Sequence, residues 1–312
     1  MANYKVGDII RMTRKLIGMS QETLCDGICS VETLSRIENG KHRVKKETYK
    51  CLMARMERIT GKNYAICTSD DMELLEERTH LEDALTKFDY VEAERYLNLL
   101  KTRVSDNILN KQFIRNTEAL INYYNGRISA EELKKELEEA IKLTVPAYEN
   151  YIDSIYPYTE QELLMLMRLA NANLKLKYYE KSIQIYNMIL RCLDDDYIDG
   201  ENIIPFKIIV LRNYAYVLRE TEKYEDAVKI LKEVLELSIS FDYGRMIPIS
   251  MHSITVNKIK MYENGNQSIS IDEVKRMLQK AYYIADSRID NNVKEVIKEY
   301  YEKHFKEKIE IF

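Results

Sequence analysis

Residues 20–40 read Ser20-Gln21-Glu22-Thr23-Leu24-Cys25-Asp26-Gly27-Ile28-Cys29-Ser30-Val31-Glu32-Thr33-Leu34-Ser35-Arg36-Ile37-Glu38-Asn39-Gly40. Ser20 and Ser30 are each placed to cap a helix start, because a serine hydroxyl accepts from the free amides of the first turn. Gly27 and Gly40 stand where those helices must stop. The stretch therefore predicts two short helices, Gln21 to Asp26 and Val31 to Asn39, joined by a tight turn, which is a helix-turn-helix pattern. Upstream, Val6, Ile9, Ile10, Leu16 and Ile17 keep helical spacing up to Gly18. Downstream, a fourth helix is predicted from Lys46 to Arg58, with Tyr49, Leu52, Met53 and Met56 on its inner face.

With these features in place, residues 4–60 resemble the Cro/repressor-type (XRE) DNA-binding domain. The resemblance rests on Ser20-Gln21-Glu22-Thr23-Leu24 and on Ser35-Arg36-Ile37-Glu38-Asn39-Gly40 at the matching spacing. The turn departs from the common pattern: Cys25 and Ile28-Cys29-Ser30 replace a small residue and a glycine-containing turn. That variant resembles the peptide-pheromone-sensing regulators of low-GC Gram-positive bacteria. The resemblance also implies that Glu38 pairs with Arg14 on the first helix as a structural ion pair.

On the second of the two helices, Leu34 and Ile37 are three apart and turn toward the head's core. Val31, Glu32, Ser35 and Arg36 are left on the other side, with Ser30 at the helix start. Arg36 suits a bidentate contact to guanine or one to a phosphate, Val31 a thymine methyl, and Glu32 a cytosine amino group. Gln21 is placed for a phosphate or base edge. Lys41, His42, Arg43, Lys45 and Lys46 form a basic run suited to the DNA backbone.

The charge distribution agrees. Residues 1–60 hold 12 Lys/Arg against 7 Asp/Glu, a net of +5, and the rest of the chain carries −9. A basic head on an acidic body suits a polyanion partner for the head alone.

From Asp70 onward the pattern is helical and repeats. Tyr90-Val91-Glu92-Ala93, Tyr179-Glu180-Lys181-Ser182 and Tyr224-Glu225-Asp226-Ala227 each set a small residue three after an aromatic one, with a large apolar residue four further on (Leu97, Tyr186, Leu231). Tyr179 and Tyr224 are 45 apart, and Tyr90 and Tyr179 are about twice that. Further copies fall near residues 126–133 and 265–278. Ala170 and Ala215 stand nine before their tyrosines, where paired helices need a small residue. This pattern resembles tetratricopeptide (TPR) repeats with a longer period. The expected fold is all-α: a helix-turn-helix bundle over residues 1–66, then a TPR-like solenoid of about five helix pairs over 67–312 that senses a ligand and dimerises.

In such a solenoid the first helix of each pair lines the inner face. Asn122, Asn171, Arg212, Asn213, Tyr216 and Asn257 are expected there. Asn side chains can clamp a peptide backbone, and Arg212 or Arg219 can hold a carboxylate.

Composition sets the limits. Gly and Pro together number 13 of 312 residues, about 4% against roughly 12% in average proteins. That excludes turn-rich β folds. No stretch approaches a membrane span and the first 20 residues lack a signal-peptide core, so a cytoplasmic protein without membrane contact is expected. The five cysteines (25, 29, 51, 67 and 192) show no CxxC spacing and are read as small buried hydrophobes. The four histidines are scattered, so no metal and no cofactor is implied. No phosphate loop or nucleophile elbow points to an enzyme. The runs Asp194-Asp195-Asp196 and Glu131-Glu132 read as solvated faces.

Head and body together resemble the RNPP (Rgg/PlcR/NprR/PrgX) quorum-sensing regulators. The resemblance implies a transcription regulator that binds a double-stranded operator, assembles as a homodimer or tetramer, and responds to a short signalling peptide. The other reading keeps the regulator but gives the body a protein partner.

Overall fold

The computed structural model describes residues 7, 10, 11, 14, 15, 18–42, 44–56, 72–104, 108–151, 158–194 and 203–309. The described part is all-α. The linker around the expected 66/67 boundary, together with Arg43, Cys67 and Pro157, lies outside these residues. The chain forms two compact units, 1–203 and 204–312. Among the described residues no helix is long and apolar enough to cross a membrane.

The first unit opens with the head. Helix α1 carries described residues 7, 10, 11, 14 and 15. It is followed by α2 (Gln21–Cys25), α3 (Val31–Glu38) and α4 (Lys46–Arg55). Ser20 Oγ accepts from the Thr23 amide at 3.0 Å, and Ser30 Oγ from the Thr33 amide at 3.1 Å. Each helix therefore starts at its serine. Ile10, Leu24, Leu34, Ile37, Tyr49, Leu52, Met53 and Met56 close a single core. Gly7 allows α1 to lie directly on the end of α3. A Cβ there would overlap the Ile37 carbonyl, so any side chain would push the two helices apart.

The first unit continues with α5 (Met72–Thr86), α6 (Tyr90–Arg103), α7 (Ile108–Tyr124), α8 (Ala130–Lys142), a 3-10 turn (Tyr148–Tyr151), α9 (Glu160–Lys175) and α10 (Tyr179–Leu193). The second unit holds α11 (Ile203–Glu220), whose first residue closes the first unit, then α12 (Tyr224–Ser240), α13 (Met246–Glu263), α14 (Ile271–Ser287) and α15 (Asn291–Phe305). From α5 to α10, and from α12 to α15, consecutive helices contact one another, and α13 also meets α15. This nearest-neighbour pattern is how helical repeats build a core. The spacing that marked the repeats is buried as those contacts require: Ala93, Ser182 and Ala227 are fully buried, as are Leu97, Tyr186 and Leu231. Ser182 Oγ donates to the Ala170 carbonyl at 2.9 Å, so the small residues of α9 and α10 meet backbone to side chain.

The scarcity of glycine has a cost at the turns. Phe88, Lys177, Glu222 and Ile289 all take positive φ, between 58° and 62°, two residues before a helix begins. In each case the next amide donates to the carbonyl five residues back: Asp89 to Ala84, Tyr178 to Asn173, Lys223 to Leu218 and Asp290 to Ala285. This is a Schellman-type closure made without glycine. A β-branched residue is the most strained in this conformation. Ile289 is 81% exposed, so little packing is at stake. Ile289→Gly is expected to stabilise the protein by about 0.5–1 kcal/mol, the strain relief minus the backbone entropy that glycine adds. A urea midpoint that fell instead would show that the turn is not strained.

Two expectations are corrected here. The helices end earlier than predicted, α2 at Cys25, α3 at Glu38 and α4 at Arg55. Cys51 is exposed rather than buried, because the inward positions of α4 are Tyr49, Leu52 and Met53. Pro205 and Pro248 fall in the first turns of α11 and α13, where a missing amide is harmless.

Candidate functional site

The head holds its second helix from behind. Arg14 donates through Nε to Glu38 Oε1 at 2.6 Å and through Nη2 to Oε2 at 2.8 Å. Its Nη1 donates to the Met19 carbonyl at 2.9 Å. Gln21 Nε2 also donates to Glu38 Oε2, at 2.6 Å. Glu38 is 1% exposed, so the carboxylate lies inside the head with three donors on it. The hydrogen bonds to Glu38 raise the Arg14 pKa still further. Gln21, expected to reach outward to DNA, is thus tied inward by its amide. Arg55, which sequence reasoning passed over, donates through Nη1 to the Leu24 and Asp26 carbonyls and closes the C-terminal end of α2.

The outer face of α3 is open. Val31, Glu32 and Arg36 are exposed and Ser35 is half-buried, whereas Leu34 and Ile37 are buried. The four outward residues sit at i, i+1, i+4 and i+5, one face of a helix. Ser30 spends its hydroxyl on capping, with its Oγ also 2.8 Å from Thr33 Oγ1. The Lys41 and His42 amides both donate to the Arg36 carbonyl, turning the chain back beyond α3, and Lys41, His42 and Lys45 are exposed there. Burial first, and Cys25 second, push the Cys29 thiol up, so the paired cysteines behave as part of the core wall.

The second unit contains a pocket of about 400 Å³. Helix α11 supplies Arg212, Asn213, Ala215, Tyr216 and Arg219; α13 supplies Ile249, His252, Ser253 and Asn257; α15 supplies Asn292, Val293, Val296 and Ile297; α12 adds Leu231. Five of the seven residues expected to bind a peptide therefore share one pocket. Arg219 stacks over the Tyr216 ring at 4.4 Å and meets Glu220 at 3.2 Å. Arg212 is exposed yet crowded by protein; that desolvation and the nearby Arg245 lower its pKa.

Asn257 lines the pocket but is deeply buried. It is 1% exposed, and its Nδ2 donates to the Ser253 carbonyl at 2.8 Å while Oδ1 has no partner. The other two asparagines lie in the first unit and are engaged there. Asn171 Oδ1 accepts from the Tyr186 hydroxyl at 2.6 Å, and Asn122 Oδ1 accepts from Arg127 at 3.2 Å. Sequence reasoning also missed His252 and the whole α15 wall. Nothing in the local pattern marks α15 as reaching α11.

His252 is half-buried beside Arg219, Arg212 and His304, with the Tyr300 ring edge-on at 5.0 Å. Burial first, then the Arg219 and Arg212 guanidiniums and the nearby His304, push its pKa down to about 4. Tyr300 is itself pushed up to about 12, chiefly by burial and also by Glu263. The folded His252 pKa lies below the unfolded value near 6.5, so the unfolded chain binds more protons between those values. Stability present above about pH 6.5 is lost as pH falls toward 4, by about 2 kcal/mol at pH 5. Urea unfolding of His252→Gln at pH 7 and pH 5 should show a smaller loss than the parent protein. Equal losses would remove His252 as the source.

Residues 10–50 match the Helix-turn-helix family. No curated protein matches the chain. Among solved structures, the chain is similar to Bacillus thuringiensis PlcR in complex with the peptide PapR7 and DNA, at 20% identity over 94% of this chain and 98% of that one, with a TM-score of 0.58. It is similar to PlcR in its apo form, at 16% identity over 94% and 97%, with a TM-score of 0.59. It is also similar to the apo form of the competence regulator ComR from Streptococcus vestibularis, at 16% identity over 94% and 95%, with a TM-score of 0.50. At these identities the likeness is one of fold: a helix-turn-helix head followed by TPR-like helical repeats.

Proposed function

We propose that this protein is a sequence-specific DNA-binding transcription regulator, not an enzyme, whose helical-repeat body binds a short signalling peptide that alters DNA binding. The observation that carries the reading is the pairing of two features in one chain. The head presents an open α3 face of Val31, Glu32, Ser35 and Arg36, braced from behind by the buried Glu38. The body holds a cationic pocket with an aliphatic floor. One PlcR structure similar in fold is a complex with peptide and DNA, which supports the combination.

In this reading α3 enters the major groove and Arg36 reads a base edge, while Lys41, Arg43 and Lys45 follow the phosphates. The protein acts in the cytoplasm as a homodimer, so its two heads meet half-sites about 34 Å apart or a multiple of that. A peptide that favours one arrangement of the body shifts DNA affinity only by its differential affinity for that arrangement.

The test has two steps. Selection from a random DNA library yields the operator, and fluorescence anisotropy at fixed salt measures affinity for it. The same measurement is repeated with synthetic hydrophobic peptides of five to eight residues. A peptide that changes operator affinity severalfold supports the reading. An operator bound tightly with no response to any peptide would leave a DNA-binding regulator with a different effector.

A further inference from the structure

We propose that the pocket between α11, α13 and α15 receives the free C-terminal carboxylate of a peptide together with an aliphatic last side chain. The inference rests on the peptide reading above and specifies which end of the ligand enters and what chemistry that end carries.

Charge selects an anion. Arg212 and Arg219 are seven residues apart on α11, two turns along one face, with Tyr216 between them. None of the described lining residues is Asp or Glu. Around the rim, carboxylates already occupy two cations: Glu220 meets Arg219 and Asp290 meets Arg245 at 2.9 Å. Among the described residues Arg212 has no carboxylate partner. It is also the cation that its surroundings disfavour, crowded by protein and facing Arg245. An entering anion relieves that penalty, and a guanidinium offers the two parallel donors that a carboxylate accepts.

Two buried polar atoms select a peptide terminus over a bare ion. Asn257 Oδ1 and His252 Nε2 are buried without a hydrogen-bond partner. Asn257 has already given its Nδ2 hydrogen bond to Ser253, so its oxygen needs a donor. A peptide N–H supplies one, whereas carboxylate and phosphate oxygens supply only acceptors. Leaving such an acceptor unmet is costly, which makes it a selecting element.

The floor selects the side chain. Leu231 and Ile297 are fully buried and Ile249, Val293 and Val296 continue the surface, so the apolar lining is aliphatic apart from Tyr216. A volume of about 400 Å³ lies at the small end of ligand pockets and fits one or two residues of a longer peptide.

The experiment uses the full chain with Ile and Val methyl groups labelled for NMR. Three probes are titrated: N-acetyl-Leu-Val with a free carboxylate, the same dipeptide as its C-terminal amide, and sodium phosphate. The acid is expected to shift the methyl signals of Ile249, Val293 and Val296 and to saturate, with the amide at least tenfold weaker and phosphate weaker still. Arg212→Gln and Arg219→Gln are each expected to weaken the acid about tenfold without moving the amide. Both side chains lie at the pocket surface, and circular dichroism checks that the variants are folded.

If amide and acid bind equally, the carboxylate assignment is wrong while the peptide reading stands. Phosphate binding tighter than the acid would reassign the pocket to a phosphorylated ligand. If no probe moves these methyls, the pocket is not a binding site for this chemistry. Failure of the peptide reading itself would appear elsewhere, as an operator affinity that no peptide changes.

Discussion

Glu38→Ala is expected to destabilise the head by about 3–5 kcal/mol, the range for breaking one side of a buried ion pair. Its carboxylate is 1% exposed and takes both arms of the Arg14 fork, at 2.6 and 2.8 Å, and the Gln21 amide at 2.6 Å. Removing it strands a guanidinium that is only 11% exposed and has lost two of its three acceptors. At about 0.05–0.15 kcal/mol per residue, a head of this size holds only a few kcal/mol in total. The variant should therefore lose most of its protection in residues 20–56 by amide hydrogen exchange, while the body keeps its own. It should lose operator binding as well, because Arg36 sits on the helix that Glu38 anchors. The double variant Arg14→Met with Glu38→Leu should recover much of the loss, since no charge is then left unpaired. A single-variant loss below about 1 kcal/mol would mean that the core residues alone hold α3.

Arg36→Ala is expected to cost about 1–3 kcal/mol of operator binding at fixed salt, a loss of roughly 5- to 150-fold. The side chain is exposed on the outer face of α3, two residues from the buried Leu34 and outside the head's core. Thermal stability should stay near the parent value, which separates this loss from the one at Glu38. Binding to unrelated DNA should fall less, because only one positive charge is removed. Arg36→Lys should keep the phosphate-type attraction and lose the bidentate contact, and so fall between the two. An unchanged ratio of operator to non-specific affinity in Arg36→Ala would place base reading elsewhere on α3.

The two expected losses differ in how readable they were. Arg36 could be placed outward from sequence because Leu34 and Ile37 define the opposite side of one short helix. The Arg14–Glu38 contact spans 24 residues and came from a family resemblance, not from spacing. Gln21 shows the limit of spacing alone. Its position at a helix start suggested an outward role, but a buried carboxylate from α3 captures its amide. The repeats were legible through Tyr90, Tyr179 and Tyr224 with their small partners, because helix pairing imposes that spacing on the chain. The positive-φ turns at Phe88, Lys177, Glu222 and Ile289 were not legible, since none carries the glycine that marks such a turn.

The sequence by itself determined what depends on neighbours within a turn or two of helix. Serine caps placed the starts of α2 and α3, the i, i+3, i+4 pattern separated their inner from outer faces, and the recurring small residues set the helix pairs. Only the tertiary structure decided what meets across helices. It buried Asn257 and the Nε2 of His252, gave Asn171 to Tyr186, and brought Arg212 into one pocket with Ile297, 85 residues further along the chain. Helical periodicity specifies which way a side chain points from its own axis. It carries no information on which distant helix will face it, and the pocket is made of such facing helices.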